Sequence, residues 1–159
     1  MDKLKQLSEE VGTLLLQNNQ VMVSAESCTG GGVASAITDI SGSSAWFDRA
    51  FITYSNEAKI EMLGVMPETL ETVGAVSQQV VKEMAEGALA HSRGTISVSI
   101  SGIAGPTGGT EDKPVGTVWF GWSYQGNTIE ECCLFDGDRS SVRYQACMHA
   151  IEGIRKVLN

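Results

Sequence analysis

The sequence predicts a single α/β domain over residues 1–159, in which a mixed β-sheet lies between two layers of helices. Segments with helical spacing of apolar residues alternate with short apolar strands, a pattern typical of parallel βαβ units. Late in the chain two strands flank Gln125-Gly126-Asn127, which predicts a hairpin and hence an antiparallel pair. Together these observations predict a three-layer α/β/α architecture with a mixed sheet.

Helical spacing, caps and breakers give the individual elements. Ser77 precedes one helix as a candidate N-cap, Gly64 follows another, and Ser140 or Ser141 is expected to cap the last. The predicted helices cover about 2–18, 33–40, 56–63, a short segment from Pro67, 78–91 and the chain after Ser141. The predicted strands cover 21–25, 47–54, 96–102, 115–124 and 128–135.

Composition restricts the function classes. The chain has 42% hydrophobic and 19% charged residues, as expected for a globular domain with a real core. Its net charge of -8 argues against nonspecific binding of nucleic acid or anionic membranes. No apolar run approaches the roughly 20 residues of a membrane span, and the start is polar. We therefore expect a cytoplasmic protein.

The cysteines predict neither a disulfide framework nor a zinc site. Cys28, Cys132, Cys133 and Cys147 form no C-x-x-C pair, and the chain contains only two histidines. Reduced cysteines, mostly packed in the core, are the expectation, and no metal or other cofactor is predicted.

Residues 42–59 (GSSAWFDRAFITYSNEAK) gather hydroxyl groups and a lysine on one loop–strand–helix segment. These groups are Ser43, Ser44, Tyr54, Ser55 and Lys59, and a chain that folds back through this segment can bring a serine hydroxyl and the lysine amine together. A desolvated lysine can lose its proton near neutral pH and act as the base for a serine nucleophile, so this chemistry needs no histidine.

Three further features are candidates for ligand binding. Residues 26–32 form a strand–glycine turn–helix unit, whose free N–H groups could bind an oxyanion, although a tight turn needs glycine anyway. The loop 101–109 follows a strand and is expected to line a ligand crevice. Arg139 and Arg143 lie near the start of the last helix, where they could share a bound anion or simply be solvated.

These motifs resemble one protein family. AESCTGG at 25–31, the segment 42–59, GAVS at 74–77, SGIAGPTGG at 101–109 and KPVGTVWFG at 113–121 are similar to the carboxy-terminal domain family of CinA. The likeness is closest to its stand-alone members, the nicotinamide-nucleotide amidohydrolases of PncC type, and it covers essentially the whole chain. It implies hydrolysis of the carboxamide of nicotinamide mononucleotide to nicotinate mononucleotide and ammonia, in pyridine-nucleotide recycling.

The resemblance also assigns roles to residues. The family's catalytic serine, lysine and tyrosine fall on Ser44, Lys59 and Tyr54, and a second serine falls on Ser27. The family's hydroxyl–Gly-Ile-Ala-Gly-Pro loop falls on residues 101–106, with Ser101 where many relatives have threonine. The expected substrate-binding residues are Cys28, Thr29, Gly30, Gly31, Ser101, Gly102, Ala104, Gly105, Arg139 and Arg143.

The identity of the nucleophile stays open at this point. Ser44 is the first choice, with neutral Lys59 as its base and Tyr54 as a positioning group. Ser27 could exchange roles with Ser44, because a strand-to-helix turn exposes a hydroxyl well. Cys28 is a third candidate, since a thiolate at a helix N-terminus can have a depressed pKa, with Glu26 and Lys59 completing the set.

Two other function classes remain at this point. The same pocket could sense a nucleotide without turnover, or the domain could be an interaction module in competence or damage responses. The acidic charge and the lack of a basic stripe count against direct DNA binding. We also expect a homodimer, for which Trp46, Phe47 and the tryptophan-rich strand would offer apolar surface.

Overall fold

The computed structural model describes residues 2–159 and contains five strands, six α-helices and one 3-10 turn. The strands are β1 Met22–Glu26, β2 Phe47–Ile52, β3 Ile96–Gly102, β4 Thr117–Tyr124 and β5 Asn127–Leu134. The helices are α1 Lys3–Gln17, α2 Gly32–Thr38, α3 Asn56–Leu63, α4 Pro67–Val73, α5 Gln78–Ala90 and α6 Arg139–Leu158, and the 3-10 turn is Ser43–Ala45.

The strands form one mixed sheet in the order β2-β1-β3-β4-β5. β1 pairs in parallel with β2 and β3, whereas β4 pairs antiparallel with both β3 and β5. The predicted α/β class with a mixed sheet is therefore confirmed. From β1 the chain passes through α2 to β2, which lies on one side of β1 in the sheet. It then returns through α3, α4 and α5 to β3, which lies on the other side of β1.

Helices cover both faces of the sheet and enclose two apolar clusters. α1, α2 and α6 contact one another, and α6 lies on β3 and β4. α5 lies on the opposite face, in contact with β1, β3, β4 and β5, and with α3 and α4 beside it. The larger cluster lies on the α6 side and includes Ile96, Val98 and Ile100 of β3. This arrangement is the predicted three-layer architecture.

The alternating serines of β3 do not face solvent. Ser97 and Ser99 are fully buried under α5, where the Ser97 Oγ donates to the Ala85 carbonyl at 2.7 Å and the Ser99 Oγ donates to the Val81 carbonyl. Gly121 on β4 faces the same helix, and a Cβ there would lie 2.7 Å from the Val81 carbonyl oxygen. Small residues on this face therefore let α5 pack directly on the strands.

Two local expectations need correction. α6 begins two or three residues earlier than predicted, because the Asp138 side chain, and not Ser140 or Ser141, caps it by accepting from the Ser141 N–H at 2.9 Å. Trp46 and Trp122 are 3% and 5% exposed in the larger cluster, so they offer no surface to a second subunit. No helix within residues 2–159 is long and apolar enough to cross a membrane.

Candidate active site

A crevice of about 280 Å³ lies where the three parallel strands end. Glu26 at the end of β1 is paired with Ile52 of β2 and Ile100 of β3, so the residues that follow each strand reach the same edge of the sheet. The chain leaves β1 and β3 in different directions here, and α/β folds bind ligands at such points. The crevice is lined by Ser27, Cys28, Tyr54, Asn56, Lys59, Ala75, Val76, Ser101, Gly102, Ala104 and Arg139.

Lys59 is the most unusual side chain in this crevice, because it is charged in water and only 1% exposed here. Its Nζ lies 2.9 Å from the Ser27 Oγ, 2.9 Å from the Thr53 carbonyl oxygen and 3.2 Å from the Tyr54 carbonyl oxygen. No carboxylate contacts it among the described residues, so burial lowers the pKa of Lys59 to about 8. About a tenth of a lysine with that pKa is neutral at pH 7, and about half at pH 8.

Local sequence determines how Lys59 reaches the interior. Ser55 caps α3 by accepting from the Ala58 N–H at 3.0 Å, which fixes the start of the helix immediately after β2. Gly64 ends the helix in the left-handed conformation, with φ of 74°. In this short helix only Lys59 and Leu63, one turn apart, are buried, so the lysine shares the inward face of α3.

Glu26 holds the glycine-rich turn beside Lys59 in place. Its carboxylate is fully buried and accepts from the backbone N–H groups of Gly31, Val33 and Ala34 at 2.9–3.1 Å. It also accepts from the hydroxyls of Thr29 at 2.7 Å and Ser24 at 3.1 Å. A carboxylate at the N-terminus of α2 complements the helix dipole, so Glu26 has a structural role there. The sequence signal for this structural role was an acidic residue three positions before the turn Thr29-Gly30-Gly31.

This network changes the expected oxyanion donors. The N–H groups of Gly30, Gly31 and Gly32 bond to the Ser27 carbonyl, the Glu26 carboxylate and the Thr29 carbonyl, so they are occupied. Within residues 2–159, the N–H groups of Cys28 and Thr29 have no carbonyl or side-chain partner in another residue. Cys28 lies in the crevice wall, and its N–H group is therefore the better placed donor on this turn.

The loop after β3 forms the opposite wall. Ser101 is 1% exposed, and Ser101, Gly102 and Ala104 all line the crevice as expected. The loop is anchored to the start of β4, because the Ile103 N–H donates to the Thr117 carbonyl and its own carbonyl accepts from the Gly116 N–H. Gly105 is not among the residues that line the crevice, and its carbonyl accepts from the Arg139 guanidinium.

The two arginines differ in position. Arg139 lines the crevice, and its guanidinium donates to the Gly105 carbonyl at 2.9 Å and to the Tyr54 hydroxyl at 3.4 Å. Arg143 lies behind the glycine turn and donates to the carbonyls of Cys28 at 3.0 Å and Thr29 at 3.2 Å. Arg143, with Thr29, Gly30 and Gly31, therefore supports the crevice from outside it.

The structure does not bring Ser44 to Lys59. Ser44 is exposed in the 3-10 turn before β2, whereas Lys59 follows that strand, and the six residues of β2 span roughly 20 Å. The serine that contacts Lys59 is Ser27. Tyr54 contributes its carbonyl to Lys59, while its ring is 64% exposed at the mouth of the crevice.

The structure does not favour the thiolate hypothesis for Cys28. Burial raises the pKa of Cys28 to about 11, which outweighs the opposing effects of its backbone N–H group, Arg143 and Lys59. Glu26 cannot serve as a base, since five donors already surround its carboxylate. Cys28 is therefore a neutral thiol in the wall of the crevice.

Comparison with known proteins identifies the family of this chain. The family described as the CinA C-terminal domain matches residues 4–158. The chain is 58% identical over 153 residues to the nicotinamide-nucleotide amidohydrolase PncC of Escherichia coli strain K12, covering 94% of this chain and 92% of that protein. It is 47% identical to the PncC of Pseudomonas putida, covering 97% and 96% of the two chains.

Solved structures show the same fold. The competence/damage inducible protein CihA of Agrobacterium tumefaciens superposes with a TM-score of 0.96 at 40% identity, covering 100% of this chain and 98% of that one. A CinA superfamily protein from Klebsiella pneumoniae superposes with a TM-score of 0.95 at 36% identity, covering 99% and 98%. Because the family match and these relatives span nearly the whole chain, the protein belongs to the CinA C-terminal domain family.

Proposed function

We propose that this protein is a nicotinamide-nucleotide amidohydrolase, which converts nicotinamide mononucleotide to nicotinate mononucleotide and ammonia with Ser27 as nucleophile and Lys59 as base. The substrate class is supported by relatives 47–58% identical that carry this name. The mechanism rests on one observation: the Nζ atom of the buried Lys59 lies 2.9 Å from the Ser27 Oγ.

The partners of Lys59 suit a neutral amine. A neutral lysine has two N–H bonds and one lone pair, and the carbonyls of Thr53 and Tyr54 can accept both N–H groups. The lone pair is then directed at the Ser27 hydroxyl. The arrangement therefore orients Lys59 to accept a proton from Ser27, while burial supplies the lowered pKa that makes it a base near neutral pH.

The reaction follows from that proton transfer. The Ser27 oxygen attacks the carboxamide carbon while its proton moves to Lys59. The Cys28 N–H group and the loop after β3 are positioned to stabilise the oxyanion, an effect worth about 3–4 kcal/mol per donor. The Lys59 ammonium then protonates the leaving nitrogen, ammonia departs, and water hydrolyses the ester on Ser27 with Lys59 again as base.

Arg139 is the group best placed to bind the phosphate of the nucleotide. It stands between the crevice and an adjoining cavity of about 470 Å³, which is also lined by Pro106, Val115 and Ser140. The cavity lies at the N-terminus of the 20-residue helix α6, where the dipole favours an anion. Asp138 occupies the cap position, so the charge of Arg139 must offset that carboxylate.

The decisive experiment compares ammonia release from nicotinamide mononucleotide by the parent, Ser27→Ala, Ser44→Ala and Lys59→Met. We expect loss of at least about a thousandfold in kcat for Ser27→Ala and Lys59→Met, because nucleophile and base act as a unit. Ser44→Ala is the matched control and should keep near-parental kcat. Loss in Ser44→Ala with activity retained in Ser27→Ala would refute the assignment. A parent that binds the nucleotide without turnover would instead indicate a nucleotide-sensing domain.

Four broader inferences accompany this proposal. We infer that residues 1–159 act as one amidohydrolase domain in the cytoplasm, in pyridine-nucleotide recycling. We also infer a homodimer, because β5 is an edge strand whose Ile129 and Leu134 are 58% and 65% exposed. Sedimentation of the parent and of a Leu134→Lys variant tests the dimer, and identical monomeric profiles would contradict it.

A further inference from the structure

Three potential metal ligands meet at the seam between β5 and α6, away from the crevice. Glu131 and Cys133 are two residues apart on β5 and point to the same face of the sheet, the face covered by α6. His149 of α6 lies above them. Their ligand atoms all lie within 4.8 Å of one another.

The distances suit coordination of one ion. The Cys133 Sγ lies 3.5 Å from the His149 Nε2 and 3.9 Å from a Glu131 carboxylate oxygen. With zinc bonds of about 2.3 Å to sulfur and 2.0–2.1 Å to nitrogen, two ligands on a tetrahedral ion are separated by about 3.5 Å. The cysteine and histidine therefore already have the required separation.

The carboxylate is the ligand that must move. The Glu131 Oε1 contacts the His149 Nε2 directly, so an ion between them requires the carboxylate to swing outward. The Glu131 side chain is 51% exposed and the His149 side chain 25% exposed, so the glutamate has room to do so.

Aromatic rings hold the histidine in place. The His149 ring centroid lies 4.6 Å from that of Phe120, 5.9 Å from that of Trp122 and 6.1 Å from that of Phe135. This packing fixes the ring while its Nε2 points at Cys133 and Glu131. A ligand fixed before binding loses little conformational freedom when the ion arrives.

We propose that Glu131, Cys133 and His149 bind a divalent transition-metal ion of the zinc class. Thiolate, imidazole and carboxylate together favour zinc or a similar borderline ion over magnesium or calcium, which prefer oxygen ligands. Three protein ligands leave a fourth position for water or another molecule. The site shares no residue with the crevice, so it is separate from the proposed amidohydrolase chemistry.

The competing interpretation is a simple pair between His149 and Glu131 beside an uninvolved thiol. Such a pair needs no metal and gives no sulfur-dependent spectroscopic signal. The thiol is therefore the group that separates the two interpretations, and Cys132 offers a matched control. Cys132 is exposed and points to the opposite face of β5, since neighbouring residues of a strand alternate.

The test titrates Co²⁺ into chelator-treated full-length protein and records absorption together with bound metal after dialysis. The parent and Cys132→Ser should each bind one equivalent with the near-ultraviolet absorption of a cobalt–thiolate bond. Cys133→Ser should lose that absorption and bind at least about tenfold more weakly, and Glu131→Gln should weaken binding while keeping the absorption. Circular dichroism of every variant checks that it is folded.

Three results would overturn the proposal. They are a parent without thiolate absorption in excess Co²⁺, a Cys133→Ser variant that keeps it, and equal losses in Cys132→Ser and Cys133→Ser. Quenching of Trp122 fluorescence by bound Co²⁺ provides a second signal, because its ring lies 5.9 Å from the His149 ring. Parallel quenching in Cys133→Ser would likewise count against the site.

Discussion

Replacing Lys59 with methionine should remove a specific dependence of stability on pH. In the folded protein the pKa of Lys59 is about 8, because burial disfavours its charged form, whereas the ordinary lysine value is 10.5. Between these values the unfolded chain binds more protons than the folded one. The free energy of unfolding contributed by Lys59 therefore rises with pH from about 8 to 10.5 and is constant outside that window.

The size of this rise follows from the two pKa values. A difference of one pKa unit corresponds to about 1.4 kcal/mol, so 10.5 against about 8 gives roughly 3.4 kcal/mol. The ammonium borders a crevice open to solvent, and screening there reduces the expected rise to about 2 kcal/mol. Methionine has a similar length and no charge, so Lys59→Met should be stabilised relative to the parent at pH 7 and should lose this advantage by pH 10.5.

The assay is urea denaturation of both proteins at intervals from pH 7 to pH 10.5. The difference between the two free energies of unfolding isolates Lys59, because the buried cysteines, whose raised pKa values lower stability at high pH, are common to both chains. If the free energies of unfolding of the two proteins stay parallel over this pH range, burial does not disfavour the charged form of Lys59 and the reasoning is refuted.

Three further predictions test the site. The kcat/KM of the parent should rise about fivefold from pH 7 to pH 8 and level off above pH 9, because the neutral fraction of Lys59 increases from about a tenth at pH 7 to about half at pH 8. A flat pH profile would exclude Lys59 as the base. Glu26→Gln should lower the free energy of unfolding by about 2–3 kcal/mol, because an amide cannot accept from all five donors that surround the carboxylate. Urea denaturation measures this loss, and a loss below about 0.5 kcal/mol would contradict the structural role of Glu26. Arg139→Gln should raise KM for the nucleotide by at least about tenfold with a smaller change in kcat, since a charge-assisted hydrogen bond is worth about 1.5–3 kcal/mol. Arg155→Gln, in the last turn of α6, serves as its control, and equal effects of the two variants would exclude a specific phosphate contact.

Elements with strong local signals were predicted well. The helix Asn56–Leu63 has its predicted bounds, because a serine cap and a terminal glycine act within a few residues of the ends they set. The hairpin was predicted from Gln125-Gly126-Asn127, and Gln125 and Gly126 adopt the positive φ angles that a tight turn of this kind requires. The prediction failed at α6, where the aspartate in front of two serines is the residue whose side chain reaches the free N–H group.

The sequence predicted which residues form the candidate site, but it did not give the correct serine first as the partner of Lys59. Lys59, Ser27 and the loop after β3 were all identified, yet Ser44 was preferred over Ser27 as the partner of Lys59. Ser44 is nearer to Lys59 in the sequence, but a strand is stiff and extended, so β2 carries its two ends to opposite edges of the sheet. Glu26 was considered only as a partner in the alternative built on Cys28. Its structural role was missed because the hydrogen bonds that occupy it come from a turn and a helix that the sequence does not place in space.

By itself the sequence determined the fold class, most element boundaries and the set of groups able to do amide chemistry, since these depend on hydrophobic period, caps and residue type. Only the tertiary structure decided which of these groups meet. Ser27 and Lys59 are 32 residues apart, and their contact exists because β1 and β2 pair in parallel and end at the same edge of the sheet. The cluster of Glu131, Cys133 and His149 arises in the same way, because α6 packs on β3 and β4 and its His149 reaches Cys133 of the neighbouring β5. Contacts of this kind depend on the order and register of strands, which no local pattern encodes.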